Sequence, residues 1–170
     1  MNYSAAILSL YPDAIPLVDF ALAKPWGAPV EILKWNAAKL GPQPTLAQLE
    51  AAWPAAQLQA AQTSQRALVK QSFTAAANAN VTDSAGNVWE GGMASGNSIF
   101  LACQLAQHAG ATSITLYDAA KNPHSMTIAE GMDVAALIGQ AYQVALGTKN
   151  SLYGEINAAT TIATVQGVDW

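Results

Sequence analysis

The chain has 170 residues, of which 52% are apolar and only 11% charged, and its formal net charge is −4. That length fits one domain, or a small domain with an arm. Its seven Lys and Arg are scattered, with none between Lys70 and Lys121, which excludes the clustered positive face that nucleic acid requires.

Typical soluble domains carry roughly 25% charged residues. A surface this poor in charge is weakly protected against association, so self-association or packing into an assembly is expected. The single cysteine, Cys103, excludes an internal disulfide. Its neighbours Phe100, Leu101 and Leu105 place it in an apolar helical pattern, as a buried small hydrophobe. The first residues lack a basic stretch followed by an apolar run and a cleavage site. No segment approaches the roughly 18 uninterrupted apolar residues of a membrane helix. No membrane insertion and folding in a cytoplasm are the expectations.

Residues 1–44 read as a docking arm. Apolar and aromatic residues are dense but broken by prolines, too interrupted to close a core unaided. A short helix is predicted over 4–11, with Ser4 as cap and Ala5, Leu8 and Tyr11 on one face; Pro12 ends it. Residues 15–22 read as extended and 30–35 as a strand. After the stiff break Gly41-Pro42-Gln43-Pro44, Thr45 and Gln48 form a capping box that opens a helical connector over 45–80. Leu46, Leu49 and Trp53 make its first stripe, Pro54 kinks or restarts it, and Leu58, Leu68, Val69 and Phe73 continue it thinly.

Residues 81–170 read as an α+β domain. Val81 to Trp89 is a hairpin signature with turn residues between two β-forming ends. A helix follows at 97–109 with Gly110 as its terminator. Ser113 to Asp118 alternates as a strand, residues 119–123 turn, and 125–128 return. Thr127 and Glu130 make a second capping box for a long helix over 128–147, with Met132, Leu137, Ile138, Ala141, Val144 and Ala145 facing inward and Gly147 as a bend. Thr160 or Thr161 caps a last turn, and Trp170 packs as a terminal latch. No internal repeat is found.

Two stretches resemble known groups. Tyr11-Pro12-Asp13-Ala14-Ile15-Pro16-Leu17-Val18-Asp19-Phe20, with Trp35-Asn36 and Pro42-Gln43-Pro44-Thr45, resembles the XkdW-type phage tail proteins. The apolar insert from Ala23 to Pro29 departs from that pattern and marks a surface for a partner particular to this chain. Residues 81–89, 113–130 and 160–170 resemble an uncharacterised C-terminal domain of phage tail-fibre-associated proteins. The resemblances imply a tail-fibre assembly chaperone or a small structural tail subunit. The implied partner is a tail-fibre or baseplate protein, and the implied location is the virion tail or the bacterial host cytoplasm during assembly.

Catalysis requires convergent polar groups with tuned proton affinities, and the sequence offers few. His108 and His124 are too separated for a metal site and read as solvent-facing or locally bonded. Asp118 and Asp133 have simpler roles at a turn and at a helix start. Residues 91–96 lack the Lys of a phosphate loop. No enzyme, metal or cofactor is expected. Tyr11, Phe20, Trp26 and Trp35 are candidate partner-binding anchors, with packing inside the chain the equal alternative. Asp83, Asn87 and Trp89 are the candidate cluster for a second reading, an adhesin module contacting cell-surface sugar, with Trp89 in the core as the plainer account. Asp19, within an apolar run, reads as an interface or capping residue.

Overall fold

A capping asparagine starts the structure: the Asn2 side chain accepts from the Ala5 N–H and opens α1 (Tyr3–Leu10). The computed structural model describes residues 1–27 and 29–170; Ala28, in the apolar insert, lies outside the described residues. The cap is thus Asn2 rather than Ser4; the helix buries Ala6 and Ile7 most fully, with the expected Leu8 and Tyr11 partly buried against the same core. After α1 come β1 (Phe20–Ala23), β2 (Glu31–Trp35), α2 (Ala37–Leu40), α3 (Leu46–Ala77), β3 (Val81–Thr82), β4 (Val88–Trp89), α4 (Met93–His108), β5 (Ser113–Tyr117), β6 (Pro123–Thr127), α5 (Ile128–Ala158) and α6 (Ile162–Gln166). The fold is α+β, with antiparallel hairpins β1–β2, β3–β4 and β5–β6 set among long helices.

The chain divides into two compact units, residues 1–65 with 158–167 and residues 66–157 with 168–170. In the first, Ala6, Ile7, Ala14, Phe20 and Leu49 form the core, flanked by Tyr3, Tyr11, Leu22, Ile32, Trp35, Leu46 and Trp53. The front segment therefore docks on its own chain, and the start of α3 supplies what it lacks. Gln62 Nε2 donates to the Ala159 carbonyl at 3.3 Å, tying the returning segment to α3.

The capping box at α3 is as the spacing predicts. The Gln48 N–H donates to Thr45 Oγ1 and the Thr45 N–H to Gln48 Oε1. The helix runs through Pro54, which faces solvent, where the carbonyl deprived of its N–H partner meets water. Leu68, expected in the apolar stripe, is exposed, while Val69 is buried.

In the second unit, Trp89, Leu116, Val134 and Ile138 form the core, with Val81, Ile99, Ile114 and Met126 against it. Helix α4 starts at Met93, four residues earlier than predicted, and ends in a Schellman turn. Gly110 has φ +77°, its N–H donates to the Gln107 carbonyl, and the Ala111 N–H donates to the Ala106 carbonyl. The second capping box forms as well, with Glu130 Oε2 accepting from the Thr127 N–H at 2.7 Å. Helix α5 continues past Gly147 to Ala158 and buries Gly131, Val134, Ala135, Ile138, Ala145, Leu152 and Ile156. Val144, expected inward, is 71% exposed. Thr161 caps α6, and Trp170, expected as a latch, is 39% exposed.

Candidate functional site

The first unit carries an apolar tip built on a buried carboxylate. Asp19 is only 2% exposed. Its Oδ2 accepts from Lys39 Nζ at 2.6 Å and from the Ile15 N–H at 2.8 Å, and its Oδ1 accepts from Asn36 Nδ2 at 3.0 Å. The Lys39 hydrogen bond, then the Ile15 N–H, hold its pKa down at about 2 from 3.8 against the opposing effect of burial. The Asn36 N–H adds a bond to the Asp19 carbonyl, and Lys39 Nζ reaches the Asp13 carbonyl as well.

This clasp fixes residues 15–18 as a tight loop. The Leu17 N–H donates to the Phe20 carbonyl at 2.7 Å, the Asp19 N–H to the Ile15 carbonyl at 2.7 Å, and Lys34 Nζ to the Leu17 carbonyl at 3.2 Å. Leu17 sits at φ +65°, a left-handed backbone that costs an ordinary L-residue on the order of 1 kcal/mol. Its side chain is nevertheless 79% exposed, beside exposed Ile15 and Val18; Leu33 of β2 is exposed too. An apolar side chain held in water on a strained, hydrogen-bonded backbone is not explained by the core.

The four aromatic candidates part company. Trp26 is fully exposed. Tyr11 and Trp35 are half-buried against each other, edge to face with ring centroids 5.1 Å apart, and Trp35 Nε1 donates to the Gly41 carbonyl at 2.8 Å. Phe20 is buried in the core and offers no surface to a partner. The residues that sequence reasoning passed over are Ile15, Leu17, Val18 and Leu33. The extended reading of 15–22 gave no reason to separate its outward residues from Phe20.

In the second unit, Asp83, Asn87 and Trp89 do meet, but they hold the β3–β4 turn. Asp83 Oδ1 accepts from the Ala85 and Asn87 N–H groups, and Oδ2 accepts from Asn87 Nδ2 and Trp89 Nε1, all at 2.9 Å. Burial pushes the Asp83 carboxyl up, but the bonds from Asn87 and Trp89 prevail and hold it at about 2. The Trp89 indole is fully buried and presents no face on which a sugar could stack.

Asp118 does the same at the β5–β6 turn. Its Oδ1 accepts from the Asn122 N–H at 2.8 Å. Its Oδ2 accepts from Asn122 Nδ2 at 2.9 Å and His124 Nε2 at 3.1 Å. Asn122 and then His124 hold its pKa at about 2. A cleft of about 510 Å³ opens beside the first turn, lined by Asp83, His124, Glu130, Asp133 and Leu137 among others. Asp118 and Asp133 are not brought together as a pair: Asp118 is buried in its turn, whereas Asp133 lines the cleft. Among the described residues, no group of three or more His, Cys, Asp or Glu is placed to hold a metal ion, and no helix is long and apolar enough to cross a membrane.

Residues 3–61 match the family model described as XkdW protein. The matched segment holds α1, the 15–18 loop, the Asp19 clasp and the start of α3. The front of the chain is thus XkdW-like, over about a third of its length, and that likeness suggests a phage-related protein. No curated protein and no solved structure matches it.

Proposed function

We propose that this chain is a tail-fibre-associated phage protein that acts by binding another tail polypeptide, a fibre or baseplate component, rather than by catalysis. The observation that carries this reading is the apolar tip: Leu17, 79% exposed at φ +65°, held outward by the buried Asp19 clasp inside the XkdW-like segment. Backbone strain persists only where surrounding structure over-determines it, and such strain concentrates at ligand clamps. Trp26 supplies the kind of large exposed aromatic that anchors protein interfaces. Self-association is a further part of the proposal, supported by the low charge of the surface.

The test is co-expression with a tail-fibre protein and with a baseplate protein of the same phage, followed by pull-down and by fibre solubility with and without this chain. Leu17→Asp and Trp26→Ala should each lower capture by about tenfold or more with the melting temperature unchanged. Undiminished capture by both variants overturns the reading. Purified virions then separate two roles: fixed stoichiometry marks a structural subunit, and absence marks an assembly chaperone.

A further inference from the structure

The β3–β4 and β5–β6 turns share more than an aspartate. Asp118, Asn122 and His124 stand 35 positions after Asp83, Asn87 and Trp89. In both turns the Asp N–H donates to the Asn carbonyl, the Asn side chain donates back to the Asp carboxylate, and a ring N–H two residues later completes the set. In both, the residue before Asn has positive φ, Gly86 at +88° and Lys121 at +69°, and donates its N–H to the Asp carbonyl.

The correspondence continues on both sides at the same offset. The strand pairs Val81↔Trp89 and Thr82↔Val88 become Leu116↔His124 and Tyr117↔Pro123. Helix α4 begins at Met93 and α5 at Ile128. Core residues recur: Val81 and Leu116, Ile99 and Val134, Cys103 and Ile138. Gly96 and Gly131 are both buried on their helices.

The contacts between the two copies are reciprocal. A Cβ on Gly96 would meet Ile138 Cγ2 at 3.2 Å, and a Cβ on Gly131 would meet Cys103 Sγ at 2.6 Å. Each glycine faces the other copy's equivalent of the same position. Trp89 meets its own equivalent, His124, with ring centroids 5.3 Å apart. That is the signature of an interface closed by a half-turn, in which i touches j′ and j touches i′. Even the surface hollows follow it. Thr82, His124, Ser125, Glu130, Asp133 and Val134 line the cleft of about 510 Å³, and Tyr117, Trp89, Glu90, Ser95, Ser98 and Ile99, the same six positions in the other copy, line a second of about 280 Å³.

We infer that residues 81–141 comprise two copies of one ββα module, paired face to face as an internal dimer, with Trp89 and His124 at the local twofold axis. The face by which a lone module would pair with a second copy is thereby occupied within the chain, so any self-association uses other surfaces.

Two double-mutant cycles on the full chain, read by chemical denaturation, test the pairing. Gly131→Ala with Cys103→Ala, and Gly96→Ala with Ile138→Ala, should each couple, the double variant exceeding the additive expectation by about tenfold in its folding constant. The mismatched pair Gly131→Ala with Ile138→Ala should be additive. Coupling missing at either crossing, or equal in the mismatched pair, overturns the inference. Nuclear Overhauser contacts in the unmodified chain give a second reading that no unfolded variant can obscure. Gly96 should contact the Ile138 methyls, Gly131 the Cys103 Cβ protons, and the Trp89 indole the His124 ring. Absence of any of the three overturns the internal dimer.

Discussion

The 15–18 loop of the first unit and the twin turns of the second are built on the same device and put it to opposite ends. In each, a carboxylate accepts from backbone N–H groups and from an asparagine side chain, Asn36 for Asp19, Asn87 for Asp83 and Asn122 for Asp118. In the second unit the last donor is a ring, Trp89 or His124, and the rings lie against each other. In the first it is Lys39, and the loop tip sends Ile15, Leu17 and Val18 into solvent. A polar clasp therefore fixes a turn's shape without deciding what the turn is for. The last donor and the residues at the tip decide that.

The largest effect should come from removing a ring on the inward-facing side. Trp89 is fully buried and is the largest side chain in the core of the second unit. Trp89→Ala should cost about 3–5 kcal/mol, measured by denaturant unfolding, because it leaves a cavity and takes a donor from Asp83. Leu17→Ala in the outward-facing loop should change stability by less than about 0.5 kcal/mol. A comparable loss from both would show that the tip at Leu17 is core after all and would erase the contrast between the two regions.

Acid should strike both regions in one window. Asp19, Asp83 and Asp118 each hold a pKa of about 2 in the folded chain against an ordinary 3.8. For a depressed carboxylate the stabilisation is fully present above the unfolded value and fades as pH falls through the folded one. The melting temperature should therefore hold above pH 4.5 or so and fall steeply between about pH 4 and pH 2. Asp19→Asn should lower stability at pH 7 and flatten part of that acid limb. A limb unchanged in Asp19→Asn would remove the loop's clasp from the comparison.

How far these devices were legible depends on whether the chemistry is local. The capping boxes at Thr45–Gln48 and Thr127–Glu130 lie within four residues, so spacing alone finds them. Gly110 and the 81–89 hairpin are legible for the same reason. Asp19 is different, because its partners Asn36 and Lys39 come from across the β1–β2 hairpin. The inward face of α5 was legible at Ile138 and Ala145, both buried, and was missed at Gly131, whose close approach to Cys103 carries no hydrophobic signal. The internal repeat keeps scattered identities, Asp83 with Asp118, Asn87 with Asn122 and Gly96 with Gly131, and at the positions between them conserves a donor and a backbone angle instead of a residue type. Trp and His both offer a ring N–H, and Gly and Lys both occupy the left-handed position.

That last pair gives the finest cut between the twin turns. Gly86 at φ +88° has open space around it, so Gly86→Ala should cost about 1 kcal/mol from backbone conformation alone. Lys121 occupies the same position at φ +69°, and Lys121→Gly should relieve a strain of that size. Yet Lys121 also pairs with Glu90 at the end of β4, in the other hairpin. Both side chains are more than half exposed, so the ion pair contributes about 0.2–1 kcal/mol at most. The relief and the lost pair nearly cancel, and Lys121→Gly should move stability by less than about 0.5 kcal/mol at low salt. High salt screens the pair that the wild type alone possesses. The variant should then become the more stable of the two, whereas a variant that falls further behind as salt rises would mean that Lys121 holds the turn by something other than its charge.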